Sequence, residues 1–271
     1  MSGSRIWWTI WNPSSESNPF EPPVAKELSL VELWNSTALG DRTIRSDKFS
    51  GLPEAARRYL EHAIAPGTVL ASSVRLRMHG QIKLERWLPF VAEQVIRGGQ
   101  EMIWRAAVRR SGMTIRGFDR FVDGEGAMQW KLFGIIPVMK ASGPNINRSA
   151  AGRVKAESVW LPSILCGDDV SWTAEDSLHP NAHFTVRTDT QPLALTIDDK
   201  GRLKSIKLQR WGNPEGGEFH DAPFGGVVEK EGTFGGYTIP TCVRIGWHFG
   251  TDRFEPDGEF FRATVDDAKF R

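Results

Sequence analysis

From Ser72 onward apolar and polar residues alternate with a period of two, and no other feature restricts the fold of this chain so strongly. Val74, Leu76 and Met78 interleave with Arg75, Arg77 and His79, and Met102, Trp104, Ala106 and Val108 interleave with Ile103, Arg105, Ala107 and Arg109. Successive side chains of a strand point to opposite faces, so these runs predict half-buried strands with basic outer faces. Leu193, Leu195 and Ile197 lead into Asp198-Asp199-Lys200-Gly201, after which Ile206 and Leu208 resume the alternation. That is the pattern of a hairpin closed by a glycine-containing turn. Val243, Ile245, Trp247 and Phe249, then Phe261, Ala263 and Val265, repeat it, and further turns are predicted at 123–126 and 256–258. Hairpins recur too often for a parallel sheet. The predicted class is mainly β (α+β): a curved antiparallel sheet forming a half barrel or open barrel, covered by one or two helices, with strand residues outnumbering helical ones more than two to one.

Helical signals are few. Leu52, Ala56, Tyr59, Leu60 and Ala63 fall at helical spacing behind Pro53, and Pro66-Gly67 closes the segment. A second helix is predicted within Asn147–Ile164, with Ser149 as its N-cap, Ala150, Val154 and Leu161 on one stripe, Arg153, Glu157 and Trp160 on another, and Pro162 as its end. A helix set between strands of a curved sheet belongs across the open face, over the apolar interior. Residues 24–50 permit one short helix around Leu28, Val31 and Leu33 or Trp34, and the proline- and serine-rich segment 12–23 forbids a regular element. These shifts divide the chain into an extension, 1–50, and a single β-rich domain, 51–271.

Charge and composition narrow the function. Lys plus Arg number 34 against 33 Asp plus Glu, a net charge of +1 that gives no electrostatic footprint for nucleic acid. No window approaches the length of a membrane span, and the aromatic run Arg5–Trp11 is too short for a signal peptide, so a cytoplasmic chain is expected. Cys166 and Cys242 show no metal-ligand spacing, the histidines are scattered, and nucleotide, phosphate-loop and serine-hydrolase motifs are missing, so no metal and no cofactor are expected. Tryptophan is the anomaly: 11 Trp stand beside 2 Tyr. Such a surplus suits either ordinary core filling or an aromatic-lined cavity. An apolar cavity edged by some of Trp87, Trp104, Trp130, Trp160 and Trp247 is predicted.

Several motifs carry a resemblance. Arg116-Gly117-Phe118-Asp119-Arg120-Phe121-Val122-Asp123-Gly124, Arg148-Ser149-Ala150-Ala151-Gly152-Arg153, Val159-Trp160-Leu161-Pro162 and Phe234-Gly235-Gly236-Tyr237-Thr238-Ile239-Pro240 resemble an uncharacterised bacterial family of unknown function over roughly Leu52–Arg271. The resemblance implies a curved sheet similar to the lipoprotein-carrier (LolA-like) half barrel. It assigns no catalytic residue.

Two function classes follow. One is a cofactor-free acid/base enzyme acting on an apolar or aromatic small molecule in the barrel cavity, with Asp119 and Glu157 as candidates for proton transfer and Arg153 for charge stabilisation. The other is a non-catalytic binding protein with the same cavity. Candidate ligand-binding residues are Trp104, Trp130, Trp160, Trp247, Arg120 and Arg148. A bland alternative exists for each charged residue: Arg153 and Glu157 also fit an ordinary i, i+4 surface pair.

Overall fold

Residues 28–44 and 48–271 are described by the computed structural model. The Trp7, Trp8 and Trp11 run and the predicted loop at 12–23 lie outside the described residues. Strands hold 51% of the described residues against 18% in helices, which meets the expected ratio. Among the described residues the first six strands are β1 (Ser73–Lys83), β2 (Trp87–Arg97), β3 (Glu101–Arg110), β4 (Met113–Val122), β5 (Glu125–Leu132) and β6 (Ile136–Ser142). The other seven are β7 (Ser171–Ala174), β8 (Pro180–His183), β9 (Leu193–Ile197), β10 (Leu203–Gly212), β11 (His220–Phe234), β12 (Tyr237–Trp247) and β13 (Glu259–Phe270).

They form one sheet in the order β6-β5-β4-β3-β2-β1-β13-β12-β11-β10-β9-β8-β7. Its neighbours pair antiparallel throughout. The chain thus starts at the centre, meanders to one edge at β6, jumps to the opposite edge at β7 and meanders back, and the two halves are sewn together where β1 pairs with β13. The sheet does not close.

Among the described residues three α-helices accompany it: α1 (Leu30–Asn35), α2 (Glu54–Ala63) and α3 (Pro144–Ala156). Helix α3 belongs to the connection between the two edges, and it touches both β4–β6 and β10. Strands β4 and β10 lie seven places apart, about 34 Å along the sheet at about 4.8 Å per strand. A helix about 10 Å across reaches both only if the sheet curls around it. The predicted half barrel and covering helix are therefore one arrangement, in which the long connection is the lid.

Local chemistry explains each helix. Helix α1 starts in a capping box, Ser29 Oγ accepting from Glu32 N–H and the Glu32 carboxylate accepting from Ser29 N–H. Its Leu30 and Leu33 pack with Val95, Ile103 and Val122, so it covers part of the convex face. Ile103, which the alternation places outward, is buried for that reason. Helix α2 buries Ala56, Tyr59, Leu60 and Ala63 as the spacing predicts.

Helix α3 departs from its predicted bounds. It begins at Pro144, behind Gly143 at φ 103°, because proline at the first helical position is pre-set for the helix. Ser149 is consequently inside the helix rather than its N-cap. After Ala156 the chain tightens into two 3₁₀ turns, Glu157–Trp160 and Pro162–Cys166. The predicted turn at 256–258 is the end of a π-helical segment, Phe254–Gly258. Among the described residues no helix is long and apolar enough to cross a membrane.

Candidate functional site

The core is continuous over the concave face, and it leaves a cavity of about 160 Å³ between α3 and the sheet. Its wall is mostly apolar, with Val159, Ile206, Val243, Ile245, Phe224 and Phe261 among the lining residues. The volume matches cavities of roughly 150 Å³ that hold one aromatic ring.

One polar network spans the space beneath the helix. Asp119, on the inward face of β4, accepts a hydrogen bond from the indole Nε1 of Trp130 on β5 at 3.0 Å through Oδ1. Its Oδ2 accepts from Arg153 Nη1 at 2.8 Å. Arg153 Nε donates to Glu157 Oε1 at 2.7 Å, and Gln94 Nε2, from β2, donates to Glu157 Oε2 at 2.6 Å. Trp130 can lie over β4 because its register partner there is Gly117, where a Cβ would sit 2.4 Å from the indole ring.

The network is buried, and burial dominates its electrostatics. Desolvation raises the Asp119 carboxyl above its ordinary value, against the opposing pull of Arg153 and the Trp130 bond. Burial also works against the Arg153 charge, but Glu157 and Asp119 outweigh it and hold that guanidinium firmly protonated. A buried ion pair persists only where its remaining lone pairs and protons find partners, and here both oxygens of both carboxylates have one.

The structure brings together the residues proposed for catalysis, Asp119, Glu157 and Arg153, and sets Trp104, Trp130, Trp160, Trp247 and Arg120 around the same cavity. Trp104 packs against Trp130, with ring centroids 5.7 Å apart, and the Arg153 guanidinium carbon stands 5.3 Å from its ring. Trp160 donates to Pro240 O, fastening the first 3₁₀ turn to β12. Arg148 is elsewhere: it pairs with Asp221 at 2.8 Å and lies 3.7 Å over Trp211, half exposed and away from the cavity wall. Trp87 is likewise off the wall, beneath Arg262.

Gln94 and Arg210 are among the polar residues of the site that escaped sequence reasoning. Gln94 completes the Glu157 carboxylate, and Arg210 on β10 enters the cavity wall beside Phe224 and Trp247, at 4.5 and 5.1 Å. Arg210 Nε donates to Ser149 O at 3.0 Å and Nη2 to Ser149 Oγ at 3.3 Å. The signal for both was available. In β10, Ile206, Leu208 and Arg210 share a face, as do Leu88, Phe90, Gln94 and Ile96 in β2, so each polar residue interrupts an inward apolar row.

Comparison with known proteins adds the following. A putative outer membrane lipoprotein-sorting protein domain from Vibrio parahaemolyticus is similar at 8% identity and a TM-score of 0.39, covering 74% of this chain and 86% of that one. A LolA superfamily protein from Nitrosomonas europaea is similar at 10% identity and a TM-score of 0.41, covering 80% of this chain and 92% of that one. The cytoplasmic location expected from the sequence is corrected here: the first of these similar proteins is an outer membrane lipoprotein-sorting domain. That expectation rested on failing to find an export signal, which is weak ground for assigning a compartment. No curated protein matches the chain. Residues 50–270 match the model of a family of unknown function, DUF6920, and the chain belongs to that family.

Proposed function

We propose that this protein binds an apolar small molecule in the cavity between α3 and the curved sheet, and that it holds the molecule rather than transforming it. The observation that carries this reading is that every oxygen of the two carboxylates is already tied to a structural donor. A general base needs a lone pair facing its substrate. Both oxygens of Asp119 and both of Glu157 instead accept bonds from Trp130, Arg153 and Gln94. The network works as a clamp tying the covering helix to β2, β4 and β5, while the lining beside it is apolar. Burial of the Asp119 carboxyl favours a second reading, in which it delivers a proton to a bound ligand after releasing Trp130.

Titration with the neutral one-ring probe 4-fluorotoluene, followed by its 19F NMR signal, tests the binding reading. Saturable binding with one site per chain is expected, and Ala150→Phe, which projects a ring from α3 into the cavity, should abolish it while the far-ultraviolet spectrum stays unchanged. Absence of saturable binding, or binding untouched in a folded Ala150→Phe variant, would overturn the proposal.

A further inference from the structure

We infer that the molecule taken by this cavity is an apolar acid with a single oxyanion head, and that Arg210 receives the head while Trp104 supplies a second donor. The inference rests on the binding reading above and names its ligand class.

The first observation concerns what remains unused in the cavity wall. Arg153 is spent on Asp119 and Glu157, and Trp130 is spent on Asp119. Arg210 is different. Its bonds go to the carbonyl and hydroxyl of Ser149, both neutral, and among the described residues it forms no ion pair. A guanidinium presents a fork of donors suited to two oxygens at once, and the rest of this fork has no protein acceptor. Phe224 and Trp247 flank it, so the charge faces aromatic rings rather than a counter-ion. Burial, and then the neighbouring Arg153, push Arg210 down to about 9 against the opposing pull of Glu157, Asp119 and Asp189, none of which it pairs with directly. A half-buried cation with part of its fork unused gains from any anion that reaches it.

The second observation is independent of charge. Trp104 is 2% exposed, borders the same cavity, and its Nε1–H is buried with no hydrogen-bond partner. Leaving such a donor unmet costs roughly 1–3 kcal/mol, so a site that keeps one is suited to an acceptor from outside. Both unspent groups are donors, and the matching ligand supplies oxygen lone pairs. The remainder of the wall is mostly apolar, with Val159, Val243 and Phe261 among its residues. A single acidic head on an apolar body fits both halves. The cavity volume limits the enclosed body to about one ring or a short chain.

Displacement of the one-ring probe 4-fluorotoluene by octanoate, 1-octanol and octylamine, three compounds with the same tail, tests the inference. Octanoate is expected to displace the probe at a concentration at least tenfold lower than octanol, with octylamine weakest. Arg210→Met should bring octanoate and octanol within threefold of each other, Arg210→Lys should keep part of the preference, and Trp104→Phe, which keeps the ring and removes the donor, should reduce it by a smaller factor. Equal displacement by octanoate and octanol in the native protein would overturn the inference while leaving the binding reading intact. So would an octanoate preference that survives Arg210→Met, or, if that variant does not fold, one that is undiminished in both Arg210→Lys and Trp104→Phe. Failure of every octyl compound to displace a bound probe would remove the cavity as their site, and this inference with it.

Discussion

Two substitutions that conserve shape distinguish a clamp from a loose cluster of charges. Asp119→Asn and Glu157→Gln each replace a carboxylate by its amide, yet the geometry makes them unequal. Asp119 accepts from two donors that cannot turn around, the Trp130 indole N–H and the Arg153 guanidinium. Whichever way an asparagine amide is set, its NH₂ faces a donor. Glu157 accepts from Arg153 and from Gln94, and the amide of Gln94 can rotate to present its own oxygen to a new NH₂. Glu157→Gln therefore keeps every contact and loses charge assistance only, about 1–2 kcal/mol. Asp119→Asn loses that and also leaves a buried donor unsatisfied, a further cost of about 1–3 kcal/mol. Taking about 2 kcal/mol for the difference, and about 2–4 °C per kcal/mol for a domain of this size, Asp119→Asn should melt about 4–8 °C below Glu157→Gln. Scanning calorimetry of both variants at pH 7 measures it directly. The reasoning fails if Glu157→Gln melts at or below Asp119→Asn, or if Asp119→Asn melts with the native protein.

Acid titration reads a second pair. Glu259 is 2% exposed, and although burial opposes its charge, hydrogen bonds from Arg244 and Arg262 hold it at about 2 against an ordinary 4.5. A depressed carboxyl contributes stability that is full above pH 4.5 and is lost as pH falls toward 2, about 3 kcal/mol in all at about 1.4 kcal/mol per pH unit. Urea midpoints at pH 7 and pH 3 should therefore converge for Glu259→Gln relative to the native protein, and parallel pH curves would contradict the linkage. At the seam between the two half sheets, a Cβ on Gly80 of β1 would lie 1.9 Å from Arg262 O of β13. Gly80→Ala should cost about 2 kcal/mol or more in urea unfolding, against less than about 0.5 kcal/mol for the control Gly51→Ala, which meets no atom within 4 Å. Similar midpoints for the two variants would mean that the seam yields easily.

How much could be read from sequence depended on the range of the interaction concerned. Alternation through Met102–Val108 and Val243–Trp247 predicted strands and their inward residues correctly, because it reports backbone stereochemistry that holds wherever the strand lies. Tyr59 and Leu60 were legible as the buried face of α2 for the same reason at the other period. Ile103 was not, since its burial depends on α1, a helix of six residues that approaches from far along the chain. The start of α3 was missed because the serine at 149 looked like a cap while the proline at 144 was the stronger signal. Arg153 and Glu157 were adjacent on any helical reading, so half of the site was visible in advance.

The rest of the site became visible only in three dimensions. Asp119 reaches Arg153 across 34 residues, Gln94 reaches Glu157 across 63, and Arg210 reaches Ser149 across 61. No periodicity relates such positions. They meet because β6 and β7 occupy opposite edges of one sheet, so the segment between them must cross the concave face, and the sheet curls until both halves touch the helix. By itself the sequence determined which residues face inward on each strand and helix, through local stereochemistry. Which inward polar residues become partners, and which are left without one beside the cavity, was decided by curvature and connectivity, since burial makes polar groups seek partners and only the tertiary fold brings those partners within reach.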